Sequence, residues 1–193
     1  AARNAVDARL YDFQVEGVNW LSRREDALLG DDMGLGKTVQ TLASLPAKGM
    51  GAVLAVVPAG LKYNWRDETN VWRPDYTPIV LDNKKNFRFP ERGEIIIMNY
   101  EQLPDWLKPP SRTENNRRIR WNLYQPKLNR FRQANRNLFP QAAEVMLIVD
   151  EAHKVKNYKA QRSIKLTELV EMTRSVWGLT GTPLDNKPED LYG

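Results

Sequence analysis

The chain has 193 residues, 41% of them hydrophobic and 27% charged, a composition that suits one globular domain with a sizeable core and not a disordered chain. No apolar run approaches the roughly 20 residues of a membrane-spanning helix, and residues 1–7 show no basic-then-apolar leader. With no cysteine and one histidine, His153, disulfides, thiolate zinc and histidine-rich metal sites are excluded.

In chain order, short apolar stretches alternate with amphipathic ones. The spacing predicts helices at 12–24, 37–45, 61–69, 100–106 and 159–172, and strands at 27–30, 52–57, 79–81, 94–98, 145–149 and 176–179. Ile95-Ile96-Ile97-Met98 and Val145-Met146-Leu147-Ile148-Val149 are continuous apolar runs. Such runs read as strands covered on both faces, as in a parallel sheet between helices. Strand–helix alternation of this kind predicts an α/β doubly wound fold.

Residues 104–141 break the alternation. Pro109-Pro110-Ser111 is a loop signal, and residues 108–136 then hold nine basic residues against one acid, Glu114. That stretch carries +8, so the net charge of +5 arises from one segment. A helix is expected to begin near Pro126, since proline is tolerated at a first helical position. Tyr124, Leu128, Phe131 and Leu138 would line one face, with Lys127, Arg130, Arg132 and Arg136 largely off it. The segment reads as a basic, partly helical insertion before the strand at Val145.

Asp31-Asp32-Met33-Gly34-Leu35-Gly36-Lys37-Thr38 follows a predicted strand and opens a predicted helix. Glycines let the backbone curl so that its N–H groups point inward at phosphate oxygens, and the helix dipole adds positive potential there. In such a loop Lys37 reaches the β- and γ-phosphates and the Thr38 hydroxyl ligates Mg²⁺. The strict phosphate-loop pattern has glycine where Asp31 stands, so a glycine-rich turn capping a helix is the plain alternative. The strand at 145–149 ends in Asp150-Glu151-Ala152-His153. Open α/β sheets bind ligands at such strand ends. Asp150 is a candidate Mg²⁺ ligand and Glu151 a candidate to orient or deprotonate an attacking water. Adjacent acids at a strand end also occur as solvated caps.

With these segments in hand, the chain resembles superfamily-2 helicases, specifically the Swi/Snf-type branch of DNA translocases. Leu10-Tyr11-Asp12-Phe13-Gln14 with Gly17-Val18-Asn19-Trp20-Leu21 is similar to the family's opening motif, in which Gln14 would read the adenine edge. Residues 31–38 resemble its phosphate loop, Gly34, Leu35, Gly36, Lys37 and Thr38 being the ATP-binding positions, and that branch tolerates an acid at Asp31. Val57-Pro58-Ala59-Gly60-Leu61-Lys62-Tyr63-Asn64-Trp65 and Met98-Asn99-Tyr100-Glu101-Gln102-Leu103 resemble the two segments bordering the nucleic-acid track. The resemblance thus implies contacts from Pro58, Lys62, Asn64, Trp65, Asn99 and Tyr100. Asp150-Glu151-Ala152-His153, running on to Lys156-Asn157, is similar to the DEAH motif. Leu179-Thr180-Gly181-Thr182-Pro183-Leu184, with Asn186, Pro188, Glu189, Asp190 and Leu191, resembles the coupling motif and its tail.

The resemblance implies one RecA-like ATP-binding lobe over residues 1–193 with the insertion at 104–141. It implies an ATPase using ATP and Mg²⁺, catalytic Lys37, Asp150 and Glu151, and His153, Thr180, Gly181 and Thr182 coupling hydrolysis to movement. Double-stranded DNA is the expected partner and no membrane is expected. The family's second lobe and its arginine finger would follow Gly193, so this chain alone is expected to bind ATP weakly and turn it over poorly. Arg117, Arg118, Arg120 and Arg130 are candidates for extra DNA contacts, with Trp121, Tyr124 and Phe131 interleaved; a solvated surface loop is the alternative. The expected location is intracellular: cytoplasm or nucleoid in a prokaryote, nucleus in a eukaryote. A strand-separating DNA or RNA helicase, and a nucleotide-dependent switch that needs no nucleic acid, are the competing functions.

Overall fold

The computed structural model describes residues 9–114, 117–155 and 161–181. Its frame is a six-stranded sheet of β1 (Ala27–Leu29), β2 (Ala52–Val57), β3 (Thr77–Val80), β4 (Glu94–Asn99), β7 (Val145–Asp150) and β8 (Ser175–Leu179). The strands run parallel in the order β1-β8-β7-β2-β4-β3. A two-residue-per-arm hairpin, β5 (Thr113–Glu114) and β6 (Arg117–Arg118), stands apart.

The continuous apolar runs are explained by the period of two. Val53, Ala55, Ile95, Ile97 and Ile148 face one core, which also holds Leu21 of α1 (Asp12–Leu21), Leu42 of α2 (Lys37–Ser44) and Trp65 of α3 (Lys62–Trp72). Leu54, Val56, Ile96, Met98, Leu147 and Val149 face the other, against Leu166, Leu169 and Met172 of α5 (Gln161–Met172). Both faces are covered, so no polar face is left for the strand code to show. By the same parity Asp150, two residues past Ile148, lies on the α2–α3 side.

Several expected boundaries shift for local reasons. Helix α1 stops at Leu21 and not at 24, because the following Ser22-Arg23-Arg24-Glu25-Asp26 offers no apolar residue to bury. The helix expected at 100–106 is two 3₁₀ turns, Tyr100–Gln102 and Asp105–Leu107. Asn99 and Gln102 cap the first turn reciprocally, and Pro104 has no N–H with which to continue a helix. Strand β3 starts at Thr77 and includes Pro78, which is tolerated because β3 is a sheet edge.

The insertion holds α4 (Trp121–Leu138), which begins five residues before Pro126. The expectation of a start at Pro126 was therefore wrong, and the proline sits inside the helix. Its inner stripe is Tyr124, Leu128 and Asn135, while Leu138 is 69% exposed and leaves the stripe. Helix α4 packs on α5 as an extra layer: Arg132 pairs with the buried Glu168 at 2.9 and 3.2 Å, and Arg136 donates to the Glu171 carbonyl. The two ends of the insertion meet where Trp106 stacks on Phe139, with ring centroids 4.4 Å apart, beside Phe87 and Phe89.

On the opposite face Arg73 closes the end of α3. It is buried, donates to the carbonyls of Leu42, Leu45 and Pro46 at the end of α2, and holds both carboxylate oxygens of Asp75 at 2.8 Å. It thus satisfies helix-end carbonyls that have no partner within their own helix. Among the described residues, no helix is long and apolar enough to cross a membrane.

Candidate functional site

The C-terminal ends of β1, β8 and β7 lie side by side, and each continues into a segment singled out in the sequence. After β1 the chain curls through Gly34 at φ +84° and Gly36 at φ +74° before α2 begins at Lys37. Both angles lie in the left-handed region that side chains disfavour. Gly36 is doubly required, since a Cβ there would stand 2.5 Å from Gln14 Nε2. Gln14 is buried in α1; its Nε2 donates to the Leu35 carbonyl at 3.2 Å and its Oε1 accepts from Tyr11 N at 3.1 Å. Helix α1 is thereby tied to the loop.

Lys37 Nζ donates to the carbonyls of Asp31 and Asp32 at 2.9 and 3.0 Å. Thr38 follows, half-buried, in the first turn of α2. The departure at Asp31 has a local reason: its Oδ2 accepts from Gln40 Nε2 at 2.9 Å. Gln40 is fully buried one turn after Lys37 and also donates to the Leu35 carbonyl. Sequence reasoning missed this brace, whose only signal was a glutamine on the inner face of α2.

Asp150 is buried at the tip of β7. Its Oδ2 accepts from Trp65 Nε1 and its Oδ1 from the Glu151 N–H, both at 2.9 Å. Burial pushes its carboxyl up from the ordinary value, the Trp65 hydrogen bond pulls it down, and the nearby Lys37 ammonium also lowers it. Glu151 takes φ +55°, a left-handed conformation that is rare for a side chain of its kind. His153 Nδ1 lies 3.1 Å from both Thr180 Oγ1 and Glu151 Oε2. Hydrogen-bond geometry is met toward Thr180, which leaves Glu151 Oε2 buried without a hydrogen-bond partner.

Between the two acids and the loop comes Thr180-Gly181. Thr180 is buried and its N–H donates to the Leu29 carbonyl of β1. A Cβ on Gly181 would meet Met33 Cγ at 2.8 Å and lie 3.7 Å from Lys37 Nζ. Gly181 therefore brings the loop after β1 against the end of β8. Thr182, the tail at 183–191 and Lys156-Asn157 lie outside the described residues.

Oxygen donors at Thr38 and Asp150 suit Mg²⁺, which takes a hydroxyl, one or two carboxylates, substrate phosphates and water in place of an all-protein cage. Among the described residues no cluster of three His, Cys, Asp or Glu forms such a cage. The buried Asp150 carboxylate and the orphaned Glu151 oxygen are the two groups whose burial a bound cation and an ordered water would compensate.

The expected nucleic-acid track is only partly at the surface. Asn64 is exposed, and Pro58 and Asn99 are half-buried at the ends of β2 and β4. Lys62 Nζ donates to the Leu81 carbonyl at 2.9 Å. Trp65 and Tyr100 contradict the expectation. Both are buried, Trp65 completely, and both hydrogen bond to Asp150, so neither ring is presented to a strand. In the insertion Arg118, Arg120 and Arg130 are exposed, while the Arg117 side chain lies outside the described atoms. Tyr124 is buried with its hydroxyl on the Pro110 carbonyl and Phe131 is half-buried; of the three interleaved aromatics only Trp121 is exposed.

The chain is similar to known proteins. The chain is 30% identical over 190 residues to the human DNA annealing helicase and endonuclease ZRANB3, covering 96% of this chain and 15% of that protein. It is 29% identical over 208 residues to the ISWI chromatin-remodeling complex ATPase ISW1 of Saccharomyces cerevisiae, covering 97% of this chain and 15% of that protein. The chain thus spans about a seventh of these relatives' length. The solved SWI2/SNF2 ATPase core of Sulfolobus solfataricus in complex with dsDNA superposes with a TM-score of 0.63 at 23% identity, over 95% of this chain and 34% of that one. That likeness makes the sheet and its helices a RecA-like α/β fold. The profile of the SNF2-related domain matches residues 13–193, and the chain belongs to that family.

Proposed function

We propose that this chain is the ATP-binding lobe of a motor that hydrolyses ATP to ADP and phosphate and moves along double-stranded DNA. The observation that carries the reading is that three adjacent strand ends lead into the loop before Lys37, the Thr180-Gly181 turn and Asp150-Glu151, with Gly181 packed beside Lys37 and His153 hydrogen-bonded to Thr180. The family and the relatives' names support the DNA part: one relative is a DNA annealing helicase, another a chromatin-remodeling ATPase, and the solved ATPase core binds dsDNA.

Phosphoryl transfer needs positioning and charge neutralisation more than covalent chemistry. Bound Mg²⁺ supplies charge neutralisation at the β- and γ-phosphates, and Thr38 and Asp150 are the residues that would hold it. Lys37 gives up its two loop carbonyls and donates to phosphate oxygens. The N–H groups of the Gly34–Gly36 curl and the start of α2 cradle the same phosphates. Glu151 Oε2 orients the attacking water and takes its proton. Gln14, already against the loop, reads the adenine edge. His153, Thr180 and Gly181 link the hydrolytic residues to the loop; Thr182 belongs to the same link.

The motor reading includes a second RecA-like lobe on the same polypeptide, carrying the arginine finger, a part worth about 10³–10⁵ in rate. The 193-residue chain is therefore expected to bind Mg²⁺·ATP weakly with negligible turnover. Asn64, Lys62, Pro58 and Asn99 face the track. Arg117, Arg118, Arg120 and Arg130 add phosphate contacts outside it. The work takes place inside the cell, where ATP and chromosomal DNA are found together.

The test is phosphate release by the full-length protein with and without duplex DNA, beside a Lys37→Ala variant. DNA-stimulated release that Lys37→Ala abolishes is the expected result. Release indifferent to DNA leaves only a nucleotide switch. A forked-duplex displacement assay separates translocation from strand separation.

A further inference from the structure

Two aromatic side chains from different segments grip one acid. Trp65, on α3 just past β2, is fully buried and donates its Nε1–H to Asp150 Oδ2 at 2.9 Å. Tyr100, just past β4, donates its hydroxyl to the main-chain carbonyl of Asp150. Strands β4 and β7 both flank β2, so the Tyr100 hydroxyl reaches across the end of β2 to the tip of β7. The same strand end is thus held at side chain and backbone by residues outside its own strand. Trp65 is itself fixed, since the Thr69 hydroxyl one turn on donates to its carbonyl at 2.7 Å.

An indole N–H can only donate, and a buried one needs an acceptor. The acceptor here is one oxygen of a buried carboxylate. With Oδ2 held by Trp65 and Oδ1 by the Glu151 N–H, rotation of the carboxylate about its own bond is blocked. Each oxygen keeps a further lone pair for a cation or its water. We infer that Trp65 and Tyr100 are positioning residues for the metal-binding carboxylate, with Trp65 setting its rotation and Tyr100 the strand tip that carries it. The inference rests on the proposed role of Asp150 as a Mg²⁺ ligand. Groups that orient a metal ligand alter metal affinity about 10–100-fold when removed, whereas a purely structural brace alters nucleotide binding without regard to metal.

The experiment uses the 193-residue chain and a fluorescent N-methylanthraniloyl ATP, titrated with saturating Mg²⁺ and again with EDTA. Trp65→Phe is expected to weaken binding about tenfold in Mg²⁺ and to leave binding in EDTA unchanged. Tyr100→Phe, which removes one oxygen and opens no cavity of note, is expected to act in the same direction and more weakly. A second readout needs no variant: the assigned ¹H–¹⁵N indole resonance of Trp65 should move when Mg²⁺ joins the nucleotide and stay in place with nucleotide in EDTA. Equal weakening with and without Mg²⁺, or an indole resonance indifferent to Mg²⁺, overturns the inference. If wild-type binding is itself indifferent to Mg²⁺ and to Lys37→Ala, the proposed function fails and takes this inference with it. If the wild type depends on both and Trp65→Phe behaves like it, the inference alone fails.

Discussion

His153 Nδ1 lies 3.1 Å from Thr180 Oγ1, joining the turn after β7 to the end of β8. Thr180 in turn donates its N–H to the Leu29 carbonyl of β1. The imidazole thus ties the turn after β7 to a residue whose backbone already pairs with β1, and Glu151 Oε2 lies 3.1 Å from the same nitrogen. His153→Ala removes the link and leaves Lys37, Thr38 and Asp150 untouched. Nucleotide affinity of the chain should be unchanged, while DNA-stimulated phosphate release by the full-length protein falls roughly tenfold or more, as for loss of other orienting partners. An equal loss in affinity would make His153 a binding residue.

Gly181→Ala adds the Cβ that would stand 2.8 Å from Met33 Cγ and 3.7 Å from Lys37 Nζ. Met33 is exposed, but the clash falls on its Cγ, so relief takes a new χ1 rotamer or a shift of the loop that carries Lys37. At an exposed residue the strain stays below the roughly 1–3 kcal/mol of core overpacking. Weaker Mg²⁺·ATP binding is expected with a small loss in thermal stability. Normal nucleotide affinity in this variant would show that the end of β8 and the loop after β1 do not have to touch.

Arg73 is a stability element at the end of α2 opposite Lys37. Arg73→Met leaves the Leu42, Leu45 and Pro46 carbonyls and the Asp75 carboxylate without its five hydrogen bonds. Asp75 is exposed and is re-solvated, but each buried carbonyl left without its donor costs about 1–3 kcal/mol, so calorimetry should show a melting point lower by roughly 10 °C. The pH dependence follows from Asp75, whose carboxyl Arg73 holds below the ordinary carboxylate value, with Gly49 N–H assisting. A lowered folded-state pKa gives stability that is full above the unfolded value, near pH 4, and is lost as pH falls through the folded one. Between about pH 4 and the onset of acid unfolding, the wild type should therefore lose stability more steeply than Arg73→Met.

The sheet could be read because its strands alternate in face while remaining apolar throughout, a pattern that only two covering layers explain. The glycine curl and the acid pair could be read because each needs rare residues at fixed spacing. Trp65 and Tyr100 could not be placed. An aromatic at helical spacing reads as core or as a surface platform, and the partner that decides between them lies 85 and 50 residues away. The start of α4 was missed because Pro126 reads as a first helical position, whereas the helix, with Tyr124 buried ahead of the proline, begins at Trp121. Leu138 was misjudged because the buried position one turn from Phe131 is Asn135. Local pattern, in short, locates the site's parts, while the tertiary contacts decide which polar handles they serve.

The basic insertion offers a prediction in which charge and stability separate. Arg132 and Arg136 are spent on α5, one on the buried Glu168 and the other on the Glu171 carbonyl, whereas Arg118, Arg120 and Arg130 are exposed. If the exposed three neutralise phosphates, changing them together to Gln should lower the slope of log affinity against log salt for duplex DNA by about 0.9 for each phosphate no longer neutralised. Three such phosphates lower it by roughly 2.7, with no change in melting temperature. Arg132→Gln should do the reverse. It strands the Glu168 carboxylate at 5% exposure, costing roughly 3 kcal/mol, and leaves the salt slope where it was. Both slopes are measured on the full-length protein between about 50 and 200 mM salt, where phosphate neutralisation dominates the change in affinity. A triple variant with the wild-type slope would mean that the charge concentrated at 108–136 serves solubility, and that the duplex is gripped by the sheet's C-terminal edge alone.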